Sequence, residues 1–157
     1  MFRNVGHKSG VLVTAGDAAK GALAVIAASR LGLEGGWLLL PAGAAIAGHW
    51  RSIFTGFRGG DGLAPLVGIT IALLPMYGLI AAFMGGTLVL GLHRIAHPTL
   101  WGGSLSYGFL LGRSLLNGAD TVLTLGIVML ALMVLAVPTM MRGFLEPFAE
   151  WLTTYGF

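Results

Sequence analysis

Gly48–Gly62, GHWRSIFTGFRGGDG, gathers a histidine, two arginines, an aspartate and five glycines, whereas most of the remaining chain is apolar. Successive backbone N–H groups in a run such as Phe57–Gly62 form a concave nest for an anion, and Arg58 adds a guanidinium suited to phosphate. The run is not a nucleotide-binding P-loop, because the Lys-Ser/Thr ending of that motif is missing. Asp61 lies among Gly59, Gly60 and Gly62 and repels an anion at the same place. On charge alone a connecting turn is favoured over an anion site.

Few other residues offer chemistry. Asp17 and Lys20 stand three apart in an apolar stretch, so on a helix they share a face and pair. Such a pair is either a structural ion pair, the commoner case, or the polar wall of a site. His49 closes an apolar run beside Trp50 and Arg51. A histidine there serves as a general base or as a ligand for haem or pigment, although a hydrogen-bonded interfacial role is commoner. His93 and His97 have the four-residue spacing of helical metal ligands, but Pro98 disfavours helix at His97, and no carboxylate is near. There is no Ser-His-Asp frame, HExxH or paired-carboxylate signature, and the serines have no base beside them in sequence. No residue is therefore assigned as catalytic, and no metal or cofactor is expected. The absence of cysteine excludes disulfides and thiolate metal sites.

Only 10% of the 157 residues are charged, against roughly a quarter in soluble domains, and 56% are hydrophobic. Long uncharged runs without strand-like alternation imply a polytopic transmembrane helix bundle, all-α and a single integral-membrane domain over 1–157. The net charge of +3 comes from dispersed residues, so no nucleic-acid surface is expected. The basic flank Met1–Ser9 leads into a run holding Asp17 and Lys20, and reads as retained, not as a signal peptide.

Six spans are expected: Val11–Leu31, Trp37–His49, Leu63–Leu74, Tyr77–Leu92, Leu100–Leu116 and Thr121–Met141. Leu63–Leu92 is divided at Pro75, because one helix of that length would reach about 45 Å, more than the ~30 Å hydrocarbon core. Arg142–Phe157 has Phe144, Leu145, Phe148, Trp151 and Leu152 at helical spacing, an amphipathic tail for the interface. Six spans put Arg3, Lys8, Arg51, Arg58, Arg94 and Arg142 on one side, and Arg30 and Arg113 on the other. The positive-inside rule then makes both termini and the two polar loops cytoplasmic. An undivided third helix gives a poorer charge asymmetry.

The motifs resemble those of the bacterial membrane glycerol-3-phosphate acyltransferases of the PlsY type. FRNVGHKSG is similar to the end of that family's first motif, with Arg3 as its arginine. AGDAAKGALAV is similar to its Asp-x-x-Lys-Gly helix at Asp17, Lys20 and Gly21. GHWRSIFTGFRGGDG resembles Gly-His-x-Phe-Pro…Phe-Lys-Gly-Gly-Lys-Gly at Gly48, His49, Phe57, Gly59, Gly60 and Gly62, with Arg58 in place of the first lysine. The resemblance implies acyl transfer from an acyl phosphate to glycerol 3-phosphate, without metal or cofactor. It also implies substrate binding by Arg3, His49, Arg58, Gly59, Gly60 and Gly62.

The departures fall on the same motifs. The first family helix and most of the first motif have no counterpart, which an upstream start would account for. Asp61 replaces the second loop lysine, and His97 stands where the third motif has serine after Arg94. MMRGFLEPFAEW lacks the final His-x-x-Asn…Glu pattern. These losses imply a degenerate, catalytically inactive member of the bacterial cytoplasmic membrane. Membrane lipids and other membrane-protein subunits are then its expected partners, in a respiratory or photosynthetic assembly or another one. A working acyltransferase is the alternative, and a pigment- or haem-contacting subunit using His49, His93 or His97 is a third.

Overall fold

Glycine and proline punctuate this chain, and the helices begin and end where they do. The computed structural model describes residues 7–50 and 60–137; Arg3, Arg58, Gly59 and the 142–157 tail lie outside them. These residues form six α-helices and one 3₁₀ turn: α1 His7–Arg30, the turn Gly35–Leu38, α2 Leu39–Trp50, α3 Leu63–Leu73, α4 Pro75–Gly91, α5 Pro98–Leu116 and α6 Thr121–Val137. There is no strand among them.

Two helices stop in the same way. After α1, Gly32 takes φ +94; its N–H bonds to Ser29 O, and Leu33 N–H to Ala28 O. After α5, Gly118 takes φ +70; its N–H bonds to Leu115 O, and Ala119 N–H to Ser114 O. This paired bonding satisfies helix-end carbonyls and needs a left-handed residue, which glycine adopts without a Cβ clash. The expected break at Pro75 is present, since Leu74 leaves helical geometry at φ −132, ψ 71. α4 then turns back so tightly that a Cβ on Gly78 would stand 2.7 Å from the backbone at Thr70 and Ile71.

Named contacts fix the direction of each helix. Gly21 and Gly68 mark one close crossing of α1 and α3: a Cβ on Gly21 would strike the Pro65 carbonyl, and one on Gly68 the Ala18 carbonyl. Small residues at such crossings let helix backbones approach in lipid. α2 and α6 run side by side in the same direction, with Gly36 against Val122, Gly43 against Leu130 and Gly126 against Leu39. α4 and α5 run oppositely, with Gly85 against Ser106 and Gly102 against Val89. Ser114 and Thr124 join the end of α5 to the start of α6 through hydroxyls 2.8 Å apart. The helices thus alternate in direction, and the bundle has two ends.

The centre is mostly apolar. Ile46, Leu66, Ile69, Leu110, Ile127 and Val134 are fully buried. Thr70 is buried as well; its hydroxyl donates to Leu66 O at 2.8 Å and lies 3.0 Å from the Tyr107 hydroxyl. Among the described residues no buried side-chain polar atom lacks a partner. The outer surface is also apolar, with Leu12, Phe83 and Leu90 each more than 70% exposed. That inversion suits a bundle solvated by acyl chains. Among the described residues, Gly10–Arg30 alone is both long and apolar enough to cross a bilayer by itself; Leu63–Leu73, Pro75–Gly91 and Thr121–Val137 are shorter apolar helices.

Candidate functional site

The last turn of α2 carries two ring side chains, His49 and Trp50, and both face the glycine loop. A Cβ on Gly60 would lie 2.5 Å from His49 Nε2, and one on Gly62 would lie 2.8 Å from Trp50 Nε1. The Trp50 indole N–H donates to the Asp61 carbonyl at 3.2 Å. Gly62 adopts φ +83 and caps the N-terminus of α3, a conformation strained for any residue with a side chain. A side chain at 60 would thus displace the His49 ring, and one at 62 would both press on Trp50 and strain the backbone.

On its other edge His49 meets α1. Its Nδ1 lies 3.6 Å from Asp17 Oδ1, with the two side chains 18% and 17% exposed. The separation is beyond hydrogen-bond range but close enough for direct charge attraction when the imidazole is protonated. Asp17 also holds Lys20 Nζ at 3.5 Å, as the helical spacing predicts, and the Lys20 side chain is 79% exposed. The Gly21–Gly68 crossing lies next to this pair along α1 and sets the height of α3 against it. A single imidazole therefore connects a carboxylate on α1, the end of α2 and the loop that starts α3.

This arrangement is suited to holding an anion. Backbone N–H groups near Gly60–Gly62 join the positive end of the α3 dipole, and the exposed Lys20 ammonium is nearby. Of the residues expected to bind substrate, His49, Gly60 and Gly62 are brought together. Arg3, Arg58 and Gly59 lie outside the described residues. Asp17 and His49 were not paired by the sequence reading, which joined Asp17 only to Lys20. The available signal was that each is a polar residue in an apolar helix, where isolation is costly. Trp50 was missed as a loop support, because nothing in its sequence position shows what the indole N–H reaches.

The remaining histidines are elsewhere. His93 Nδ1 lies 2.8 Å from Leu90 O. His97 takes φ 58 and caps α5, with Pro98 starting the helix, so the two do not share a helical face. Among the described residues no group of three or more His, Cys, Asp or Glu side chains could hold a metal ion.

The chain is similar to known proteins. The family model for glycerol-3-phosphate acyltransferase matches residues 1–146. A glycerol-3-phosphate acyltransferase of Thiobacillus denitrificans is 36% identical over 132 residues, covering 79% of this chain and 65% of the relative. One from Geobacter metallireducens is 38% identical over 80 residues, 51% of this chain and 41% of the relative. Glycerol-3-phosphate acyltransferase 1 of Dehalococcoides mccartyi is 46% identical over 79 residues, 50% of this chain and 38% of the relative. The match thus spans about two-fifths of the length of these last two relatives. The crystal structure of PlsY, an integral membrane glycerol 3-phosphate acyltransferase, in its glycerol 3-phosphate form, has a TM-score of 0.65. It is 24% identical, with 98% of this chain and 72% of that chain covered, so the likeness is one of fold.

These findings confirm the resemblance and the all-helical membrane fold. They overturn the expectation of a catalytically inactive accessory subunit. The matched relatives are enzymes by name, and nothing in the comparisons points to a host complex, other membrane-protein subunits or a dismantled site. The expectation read reaction chemistry from side-chain exchanges such as Asp61. The exchange at Asp61 leaves Gly60 and Gly62 and their close approach to His49 and Trp50 in place.

Proposed function

Because the chain belongs to the glycerol-3-phosphate acyltransferase family, we propose that it transfers an acyl group to a hydroxyl of glycerol 3-phosphate in phospholipid synthesis. The observation that carries this reading is the convergence of Asp17, His49 and Gly60 behind the glycine loop. The substrate phosphate rests on the N–H groups of Gly59–Gly62, with Arg58, Arg3 and Lys20 supplying positive charge. His49 is a positioning residue: held by Asp17 and packed behind Gly60, it keeps the loop concave toward the phosphate.

With an acyl phosphate as donor, the substrate hydroxyl attacks the acyl carbonyl. The new ester C–O bond forms and the acyl C–O bond to phosphate breaks. Inorganic phosphate departs, and the hydroxyl proton leaves with it. Binding one reactant by its phosphate and the other by its acyl chain at the membrane surface turns a two-body encounter into an oriented one.

The chain is read as one integral-membrane domain over 1–157 of the bacterial cytoplasmic membrane, with both termini and the glycine loop cytoplasmic. The excess of arginine and lysine on that side supports this reading. The 142–157 segment is read as lying in the interface, and membrane lipids are the protein's surroundings and product class.

The test is direct. Purified protein in detergent or vesicles is given an acyl phosphate and glycerol 3-phosphate, and lysophosphatidate is measured. Turnover that requires both substrates is expected; no turnover from folded protein would overturn the proposal.

A further inference from the structure

At the end of the bundle away from the glycine loop, a cavity of about 360 Å³ opens between α1, α3, α6 and the 3₁₀ turn. Its volume is within the range of about 300–1,000 Å³ typical of small-ligand sites. The wall is divided. Val25, Leu38 and Leu73 make it apolar toward the core, while Ser29, Arg30 and Asp120 line it with polar groups. Asp17 and Arg30 lie on the same helix, about 20 Å apart by helical rise. The cavity and the loop therefore lie at opposite ends of the bundle.

The charges here are incompletely used. Among the described residues, Arg30 has no ion pair or side-chain hydrogen bond. Asp120 accepts the Leu123 N–H through Oδ1 at 2.9 Å, capping α6, and among the described residues its other oxygen has no hydrogen-bond or ion-pair partner. Trp37, 70% exposed, stands at the same end, within the turn. Exposed tryptophan is characteristic of the headgroup level of a bilayer, and arginine there keeps its charge in the polar zone. A guanidinium, a carboxylate oxygen and an apolar wall in one cavity match a ligand with a phosphate, a cationic amine and a hydrocarbon part.

We propose that this cavity binds one zwitterionic phospholipid of the leaflet opposite the glycine loop. Its phosphate meets Arg30, its ammonium meets Asp120, and the start of an acyl chain lies along Val25 and Leu73. An amine-bearing lipid such as phosphatidylethanolamine satisfies both charges, whereas an anionic lipid leaves Asp120 opposed. This site is independent of acyl transfer, because it shares no residue with the loop and its test reads lipid retention.

Full-length protein is delipidated, titrated with phosphatidylethanolamine or phosphatidylglycerol and examined by native mass spectrometry. Expected are one tightly retained phosphatidylethanolamine, about tenfold weaker retention by Arg30→Gln, and loss of the headgroup preference in Asp120→Asn. Asparagine remains a good helix cap, so Asp120→Asn tests charge without removing the cap. Arg30→Lys, which keeps the charge, should retain most of the binding. Equal retention by wild type and Arg30→Gln would overturn the site. Equal retention of the two lipids by wild type would overturn the zwitterion assignment. Displacement of the lipid by millimolar inorganic phosphate or phosphoethanolamine would show a soluble ligand and overturn the lipid assignment.

Discussion

Asp17 on α1 and His49 at the end of α2 meet at 3.6 Å, and the far edge of the same imidazole rests against Gly60. This contact joins three elements that share no local sequence. It also brings this chain's Asp-x-x-Lys-Gly helix and Gly-His helix end against one glycine loop.

His49→Ala removes that connection. The catalytic efficiency with glycerol 3-phosphate should fall by about 10- to 100-fold, the equivalent of ~1–3 kcal/mol for a lost polar contact that is largely shielded from water. Asp17→Asn should fall in the same direction by less, since the amide keeps the shape. Steady-state kinetics with a thermal melt as folding control checks both; unchanged kinetics in His49→Ala would refute the positioning role.

Gly60→Ala places a methyl group 2.5 Å from His49 Nε2. The Michaelis constant for glycerol 3-phosphate should rise at least about tenfold. Because the clash is with His49, adding His49→Ala should cost far less than the sum of the single effects, as expected for residues in contact. Additive effects in the double-mutant cycle would show that the two residues act separately.

Gly68→Ala drives a Cβ into the Ala18 carbonyl at the α1–α3 crossing. Overpacking against backbone should destabilise the protein by about 1–3 kcal/mol. Gly112→Ala is the control: nothing stands within 4 Å of its Cβ position, and the exchange should be neutral or stabilising by about 0.4–1 kcal/mol. Thermal melts of the two variants in one detergent should separate them clearly.

Ser114 and Thr124 bond to each other at 2.8 Å between α5 and α6. Ser114→Ala should cost about 0.6–1.7 kcal/mol, the range for interhelical hydrogen bonds in membranes. Ser114→Ala with Thr124→Val should recover part of that loss, since no hydroxyl is then left unpartnered. A double variant less stable than Ser114→Ala would contradict this account.

Orientation is testable because the chain has no cysteine of its own. In intact cells a membrane-impermeant maleimide should label Glu34→Cys and spare His93→Cys until the membrane is opened. The reverse pattern would invert the proposed topology.

Much of this fold is legible in the residues. Gly32, Pro75 and Gly118 end or divide helices for local backbone reasons, and the sequence reading placed the helix ends between Arg30 and Thr121 within a few residues; its expected end at Met141 lies outside the described residues. α1 already includes the polar HKSG stretch ahead of the expected start at Val11, since that stretch contains no proline to interrupt a helix. Trp37 and Leu38 fall in a 3₁₀ turn, not in α2, since the chain tightens as it leaves Gly35 at φ +53. The family was legible as well, from the Asp-x-x-Lys-Gly and glycine-loop motifs. The activity was misjudged, because side-chain charge at Asp61 was given more weight than the backbone of its neighbours.

What the sequence by itself determined was local: helix lengths, breaks, the glycine loop and the membrane character. Which face of each helix turns inward was decided only by tertiary structure. In α1, Leu12 is 73% exposed and Val25 1%, although both are apolar. When the solvent is hydrocarbon, inner and outer faces are both apolar, so no polar stripe marks the buried side. The pairing of Asp17 with His49 and the cavity shared by Arg30 and Asp120 depend on that choice of faces. Neither is written in the spacing of residues along the chain.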